Sequence, residues 1–273
     1  MSSRIGRGLV FTVLTLLGIS TVYPLLFMAL NSMRTSQAFE VNPFGLPSHI
    51  SFGSYSSLFQ QVPFLQSILH SLIVVVPAVL LATFASSLAA FVFTKVPIKL
   101  GNVLFWTMLM IMFMPGVVVL LPLYVEVART GLSNNFAPAM LVYTAINIPY
   151  GTYLLRSNFR AIPNSVVEAA RVDGASWFKV YWRVIVPIGK PGIITVAILT
   201  FLNIWNDLFV SLVLLHQPNT EMVTPTLAEL SGKFTSDIPV LMAGLLLGAL
   251  PTLLLYAVTA RVFIRGMLSG AVR

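Results

Sequence analysis

The chain contains no cysteine, and only 9% of its 273 residues are charged. The lack of cysteine excludes a disulfide framework and any thiolate chemistry. The scarcity of charge excludes most water-soluble folds, because a soluble domain carries about 25% charged residues. Acidic residues are the rarest, with 8 Asp and Glu against 16 Lys and Arg. Hydrophobic residues make up 57% of the chain, which excludes intrinsic disorder.

The formal net charge of +8 is compatible with nucleic-acid binding, but on so apolar a chain it favours a membrane protein. The mean hydropathy of +0.91 supports the same class. The three histidines, His49, His70 and His216, lack the spacing of metal ligands, so we expect no metal site.

Six apolar runs, which contain a single charged residue (Asp207), are long enough to cross about 30 Å of hydrocarbon. They are residues 9–30, 71–93, 100–121, 136–155, 192–215 and 238–260. Because backbone groups find no water in a bilayer, we predict that each run is a helix and the fold is all-α. The alternative that the first run is a signal peptide is disfavoured, because the run exceeds about 15 residues and no A-x-A-like site follows it.

The distribution of basic residues predicts the orientation of the six spans. Thirteen of the 16 Lys and Arg fall on the side that holds both termini, in company with only two acids, Glu168 and Asp173. Cytoplasmic loops carry the excess of basic residues in membrane proteins. We therefore predict that both termini are cytoplasmic and that the long loop 156–191 is cytoplasmic too.

Prolines and a few polar residues interrupt the apolar runs. Five prolines lie within them, either as ordinary composition or as kinks that shape a cavity or hinge: Pro24, Pro77, Pro115, Pro149 and Pro251. On one continuous helix, Asn203, Asn206 and Asp207 share a face. Two interpretations stay open for them, a translocation path or gate, and a hydrogen bond between helices. Asn147 is a further candidate for the path.

The loop 156–191 contains patterns for two short amphipathic helices. Ser165 and Glu168 form a capping-box pattern, and Gly174 is suited to end the first helix. Val166, Ala169 and Ala170 fall on one face of that helix. In the second helix one face is formed by Trp177, Val180, Tyr181 and Val184, and Pro187 and Pro191 are expected to end it. The pair is suited either to a groove on a partner protein or to the bilayer interface.

The loop resembles a known family. Glu168-Ala169-Ala170, Gly174, Val184, Val186 and Pro187 have the spacing EAA-x3-G-x9-I-x-L-P, the signature of permease subunits of bacterial ABC importers, with Val in place of the usual Ile and Leu. Asp173 next to Gly174 also matches. Residues 203–207 are similar to the W-N-[DE] segment of the sugar-importer branch, and residues 265–273 resemble its C-terminal ending. MalG-like subunits of that branch are the expected relatives.

The resemblance implies one permease domain over residues 1–273 with the type I ABC importer fold, in a bacterial plasma (inner) membrane. It also implies three kinds of partner: a homologous permease subunit in a heterodimer, two copies of a cytoplasmic ATPase and an extracytoplasmic solute-binding protein. The expected ATPase-coupling residues are Glu168, Ala169, Ala170, Asp173, Gly174 and Pro187. This chain would bind no cofactor, and ATP and Mg would lie on the ATPase.

The residues themselves indicate that ATP hydrolysis, if it drives this protein, takes place on another subunit. The chain has no G-x-x-x-x-G-K-[ST] phosphate-binding loop, so an ATP-driven process needs a separate ATPase. The alternative is a carrier driven by an ion gradient, but such carriers place several ionisable groups within their spans, and this chain has one. A membrane enzyme is disfavoured because no Ser–His, paired-carboxylate or metal constellation lies near the end of a span.

Overall fold

The structure is a computed structural model that describes residues 2–47, 49–233 and 237–271, with side chains described over 6–47, 49–232 and 237–259. Within these ranges all regular structure is helical, which confirms the predicted all-α class. In chain order the helices are α1 (Ser2–Ser32), α2 (Ser36–Val41), α3 (Gly53–Gln61), α4 (Phe64–Lys95), α5 (Gly101–Met110), α6 (Gly116–Arg129), α7 (Phe136–Arg160), α8 (Asn164–Val172), α9 (Trp177–Val180), α10 (Val186–Trp205), α11 (Phe209–Leu214), α12 (Val223–Lys233) and α13 (Ile238–Ala271).

Four of the described helical segments are long and apolar enough to cross a membrane: Gly6–Ser32, Phe64–Lys95, Trp177–Trp205 and Ile238–Thr259. A bent pair of helices makes a fifth. Helix α7 covers the predicted fourth span but is less apolar than these. The count of six spans and the cytoplasmic position of both termini stay predictions. Of the predicted C-terminal ending at 265–273, Val272 and Arg273 lie outside the described residues.

The third span differs from its prediction. One helix is expected over residues 100–121, but Gly101–Phe113 and Gly116–Arg129 meet at an angle of 93°. Pro115 lies in the break with an extended backbone (ψ 119°) and precedes α6. Because proline has no N–H and clashes with the preceding turn, it ends the first segment. Pro115 therefore marks a sharp bend, whereas Pro24, Pro77, Pro149 and Pro251 lie inside continuous helices.

The fifth span also differs at both ends. Helix α10 stops at Trp205, and residues 206–208 separate it from α11, so the predicted continuous span 192–215 is wrong. At its other end α10 continues without a stop from α9 through a wide π-helical turn, Tyr181–Ile185. Pro187 lies directly after the π-helical turn, at the second residue of α10. The second loop helix is therefore the beginning of a span and does not end at Pro187 or Pro191.

The residues divide into two compact units, Met1–Gln66 with Thr226–Pro251 and Ser67–Pro225 with Thr252–Arg273. The first unit is organised by a buried cation. Arg34 is only 5% exposed and donates to the side-chain oxygen of Asn31 at 2.9 Å. It also donates to the carbonyls of Asn42 at 2.8 Å and Gly45 at 3.0 Å. Carbonyls thus accept from both terminal nitrogens of this guanidinium and order the segment after α1.

The second unit joins α7 to α4 and α10 by close backbone approaches. A Cβ on Gly151 would lie 2.5 Å from the hydroxyl of Ser86, and one on Gly189 would lie 2.4 Å from the ring of Phe159. Phe159 has no exposed surface. These glycines therefore let the helices pack at short distance, which fixes where the loop between α7 and α10 emerges.

We predict that Gly189→Ala destabilises the protein by about 1–3 kcal/mol, because the added methyl group collides with a buried ring that has no room to move. Gly18→Ala is the control, since nothing lies within 4 Å of a Cβ at that helical position. The measurement is the denaturation midpoint of each purified variant in detergent. Equal midpoints for the two variants would contradict the tight packing.

Candidate functional site

The loop 156–191 contains an element that we call the knuckle, made of α8, the turn 173–176, α9 and the π-helical turn Tyr181–Ile185. Its turn has the Schellman geometry that closes many helices. Gly174 has φ +79°, and its N–H donates to the carbonyl of Arg171 at 3.1 Å. The N–H of Ala175 donates to the carbonyl of Ala170 at 3.0 Å. The prediction that Gly174 ends the first helix is confirmed.

Side chains that precede and follow Gly174 stabilise this turn. The guanidinium of Arg171 donates to the carbonyl of Ala175 at 2.6 Å and lies 4.6 Å from the centre of the Trp177 ring. The hydroxyl of Ser176 accepts from the N–H of Lys179 at 3.3 Å and caps α9. The two helices of the knuckle are therefore fixed in one mutual orientation.

The start of α8 corrects a prediction. The capping box of Ser165 and Glu168 does not form, because α8 begins at Asn164 and its N-cap is Pro163, which makes no side-chain cap. Ser165 is then already inside the helix and cannot serve as its cap. The amine of Lys95 instead holds this end, donating to the carbonyl of Ile162 at 2.6 Å and to Asn164 Oδ1 at 2.8 Å.

One face of the knuckle is buried against the spans. Val167, Val180, Tyr181 and Ile185 are each at most 4% exposed and pack with residues of α4 and α7, including Phe91, Leu155 and Phe159. The hydroxyl groups of Tyr181 and Ser87 are hydrogen-bonded. The predicted face of α9 is confirmed. In α8 the buried side is formed by Val167 and Ala170, whereas Val166 and Ala169 are exposed.

The opposite face of the knuckle is exposed. Glu168, Ala169 and Asp173 are exposed, and their contact with an ATPase stays a prediction. Two further members of this face were not predicted, Val172 at 86% exposed and Phe178 at 71% exposed. The sequence could have indicated that Val172 and Phe178 are exposed, because both fall outside the faces that the spacing assigns to burial. The knuckle thus presents a small apolar surface beside a carboxylate.

The four residues predicted for a translocation path occupy different surroundings. Asn147 is 3% exposed and donates to the carbonyl of Tyr143 in its own helix at 2.8 Å. Asn203 and Asn206 are exposed, and the amide of Asn206 donates to the carbonyl of Leu202 at 2.7 Å. Because α10 ends at Trp205, the premise that Asn203, Asn206 and Asp207 share one helical face is wrong.

Asp207 lies in the break between α10 and α11 and provides an acceptor for the start of α11. One carboxylate oxygen accepts from the N–H of Val210 at 2.9 Å and from the hydroxyl of Tyr143 at 2.9 Å. The hydroxyl of Thr224 donates to the carbonyl of Trp205 at 2.7 Å. The interpretation of Asp207 as a hydrogen bond between helices is therefore confirmed, and its role in translocation stays a prediction. Tyr143 was not predicted, although a tyrosine within a span is an obvious partner for an intramembrane carboxylate.

Comparison with known proteins gives concordant matches. The family described as binding-protein-dependent transport system inner membrane component matches residues 79–268. The melibiose/raffinose/stachyose import permease protein MelC of Bacillus subtilis is 30% identical over 228 residues, which cover 83% of each chain. The diacetylchitobiose uptake system permease protein NgcG of Streptomyces coelicolor is 28% identical over 262 residues, covering 95% of this chain and 87% of the relative.

The fold is also that of a solved transporter. A chain of a bacterial ABC transporter involved in the import of the acidic polysaccharide alginate superposes with a TM-score of 0.80 and 22% identity, over 96% of this chain and 97% of that chain. Together with the apolar helices, the matches confirm the predicted permease fold and a multi-pass location in the plasma membrane. The chain belongs to the family of binding-protein-dependent transport system inner membrane components.

Proposed function

We propose that this chain is the permease subunit of an ATP-driven, binding-protein-dependent importer of carbohydrate. Family membership supports the transport role. The carbohydrate class is supported by the relatives, since MelC imports melibiose, raffinose and stachyose and NgcG belongs to a diacetylchitobiose uptake system. The chain itself performs no catalysis, binds no cofactor and serves as half of the translocation path.

The observation that carries the proposal is the two-sided knuckle. Its inner face is anchored in the spans by Val180, Tyr181 and Ile185, which have almost no exposed surface. Its outer face is exposed and includes Glu168 and Val172. A rigid element with one face fixed and the other exposed can transmit a push from a cytoplasmic partner to the helices behind it.

The predicted coupling residues divide by geometry into two groups in this proposal. Glu168, Ala169 and Asp173 form the surface that meets the ATPase, together with Val172 and Phe178. Ala170, Gly174 and Pro187 shape the knuckle, because Ala170 packs inward, Gly174 makes the turn and Pro187 begins α10. ATP and Mg bind to the ATPase, of which two copies serve a heterodimer of this chain with a homologous permease.

The remaining parts of the assembly follow from the same proposal. Six spans place both termini and the knuckle in the cytoplasm, with the bent third span counted as one crossing. An extracytoplasmic solute-binding protein delivers the solute on the other side. Asn147, Asn203, Asn206 and Asp207 lie along the path in α7 and around the break after α10, where Asp207 and Tyr143 hold the interrupted span together.

Reconstitution tests the proposed function directly. We predict that the chain alone in proteoliposomes moves no raffinose or melibiose against a gradient, because it has no phosphate-binding loop. The same sugars should accumulate when the second permease, the ATPase, the binding protein and Mg-ATP are present. Accumulation by the chain alone under an ion gradient would establish the carrier alternative instead.

The turn of the knuckle provides a second prediction with a matched control. Gly174 (φ +79°) and Gly131 (φ +72°) both have left-handed backbones, and a Cβ at either position would meet no atom within 4 Å. Alanine at either position carries the same backbone strain, roughly 1–2 kcal/mol. We expect only Gly174→Ala to lower sugar uptake per ATP hydrolysed, severalfold, because only that turn orients the knuckle. Equal losses in both variants would contradict the coupling role.

The exposed face of the knuckle provides a third prediction. Glu168→Lys should abolish ATP-driven uptake while membrane insertion stays normal, because the substitution reverses a charge on the surface that meets the ATPase. Glu126→Lys is the control, since Glu126 is another exposed helical glutamate, paired with Arg129 at 2.8 Å. Uptake in vesicles and co-purification of the ATPase are the measurements. Normal uptake and normal co-purification in the Glu168 variant would remove the knuckle from the proposed mechanism.

A further inference from the structure

A groove of about 430 Å³ lies between α6 and α11, outside the set of path residues named above. Helix α11 packs directly against α6. Both walls are half-helices that follow an interruption in an apolar run, at Pro115 and at residues 206–208. Interrupted helices of this kind surround solute sites in many transporters. The groove is lined mainly by Val117, Leu121, Tyr124, Phe209, Val213 and His216.

The groove combines aliphatic walls with three rings. Phe209 is 55% exposed, and the rings of Tyr124 and His216 meet edge to face with their centres 6.3 Å apart. Small-molecule sites are commonly lined this way, with apolar and aromatic side chains and a few polar groups that fix orientation. The volume also falls within the range of about 300–1,000 Å³ for such sites. An aromatic face beside a hydroxyl and an imidazole matches the mixed apolar and hydroxylated surface of a sugar ring.

The side chain of Asn134 holds His216 at the edge of the groove. The backbone N–H of His216 donates to Asn134 Oδ1 at 3.2 Å, and Asn134 Nδ2 lies 3.5 Å from Nε2 of the imidazole. Asn134 has φ +57°, a conformation that asparagine tolerates better than most residues. When the amide donates to Nε2, the imidazole carries its proton on Nδ1. That N–H is then a donor for a hydroxyl group.

We propose that this groove binds one sugar ring of the incoming solute before it reaches the path between the spans. The inference rests on the proposed function, and it places the groove on the side that the distribution of basic residues assigns to the exterior. Tyr124 and Phe209 stack on the ring, and His216 donates to a hydroxyl group. A lipid acyl chain would contact the apolar walls but would offer no hydrogen-bond partner to the Nδ1–H of His216 or the hydroxyl of Tyr124.

The absence of cysteine makes a direct binding test simple. In the assembled transporter, a Phe209→Cys variant is labelled with a water-soluble maleimide from the external side, with and without raffinose or melibiose. We expect the sugar that the transporter accumulates to slow labelling about threefold at a concentration of about twice its Kd, because only the unoccupied fraction of the groove reacts. Ser133→Cys, in the exposed loop after α6, should react at the same rate in both conditions.

Each other outcome of the labelling overturns the inference. A thiol that is labelled in the isolated chain but blocked in the assembled transporter indicates that the partner permease covers the groove. A thiol that is blocked in both the isolated chain and the assembled transporter indicates that lipid covers the groove. If a sugar that the transporter accumulates does not slow labelling by the maleimide, only the proposal for the groove is overturned. If neither sugar is accumulated and neither slows labelling, the proposed carbohydrate class is overturned as well.

Transport kinetics give a second measurement on the same site. We expect Tyr124→Ala to raise the KM for the accumulated sugar about three- to tenfold with little change in the maximal rate, and Tyr124→Phe to restore most of the affinity. Tyr153→Ala is the control, because Tyr153 is a tyrosine of α7 that is 52% exposed and does not line the groove. An unchanged KM in the alanine variant of Tyr124 would overturn the stacking role.

Discussion

The packing of the π-helical turn Tyr181–Ile185 against α4 and α7 is the interaction on which the proposed mechanism depends. Tyr181 and Ile185 are almost fully buried there, and the hydroxyl of Tyr181 bonds to that of Ser87 in α4. Because α9 continues through this turn into α10, the knuckle has no flexible linker to a span. A force on the knuckle must therefore act on the helices themselves.

A second constraint concerns the interrupted helices. Backbone groups released by a break have no water in hydrocarbon, so each break needs partners from the protein. After α10 those partners are present, since Asp207 serves α11 and Thr224 serves the end of α10. The break is consequently a built feature, with Tyr143 tying it to the neighbouring helix. Because the carboxylate of Asp207 has these partners, it avoids the free-energy cost of an unpaired charge in lipid.

The sequence predicted a large part of this molecule because the relevant signals are strong. Long uncharged runs can only be helices in a bilayer, and a glycine at position 174 followed by a second amphipathic pattern indicated the turn of the knuckle. The spacing of Trp177, Val180, Tyr181 and Val184 identified a face that the structure buries.

The errors have a common physical origin. An uncharged run fixes only that the chain stays apolar, and it does not say where a helix stops, so the breaks at Pro115 and at residues 206–208 were missed. The capping box failed because α8 begins two residues earlier than the pattern requires: its N-cap is Pro163 in place of Ser165. The groove between α6 and α11 joins residues almost a hundred positions apart, which no local pattern can reveal.

The wide turn at Tyr181–Ile185 has a consequence for how this protein can vary. A π-helical turn holds more residues than an α-helical turn, so it accommodates surplus chain length without ending the helix. Each residue advances an α-helix by about 100°. Loss of a residue there would therefore rotate the knuckle about the helix axis by roughly that angle. The length of this short segment thus sets the direction in which the surface at Glu168 and Val172 points.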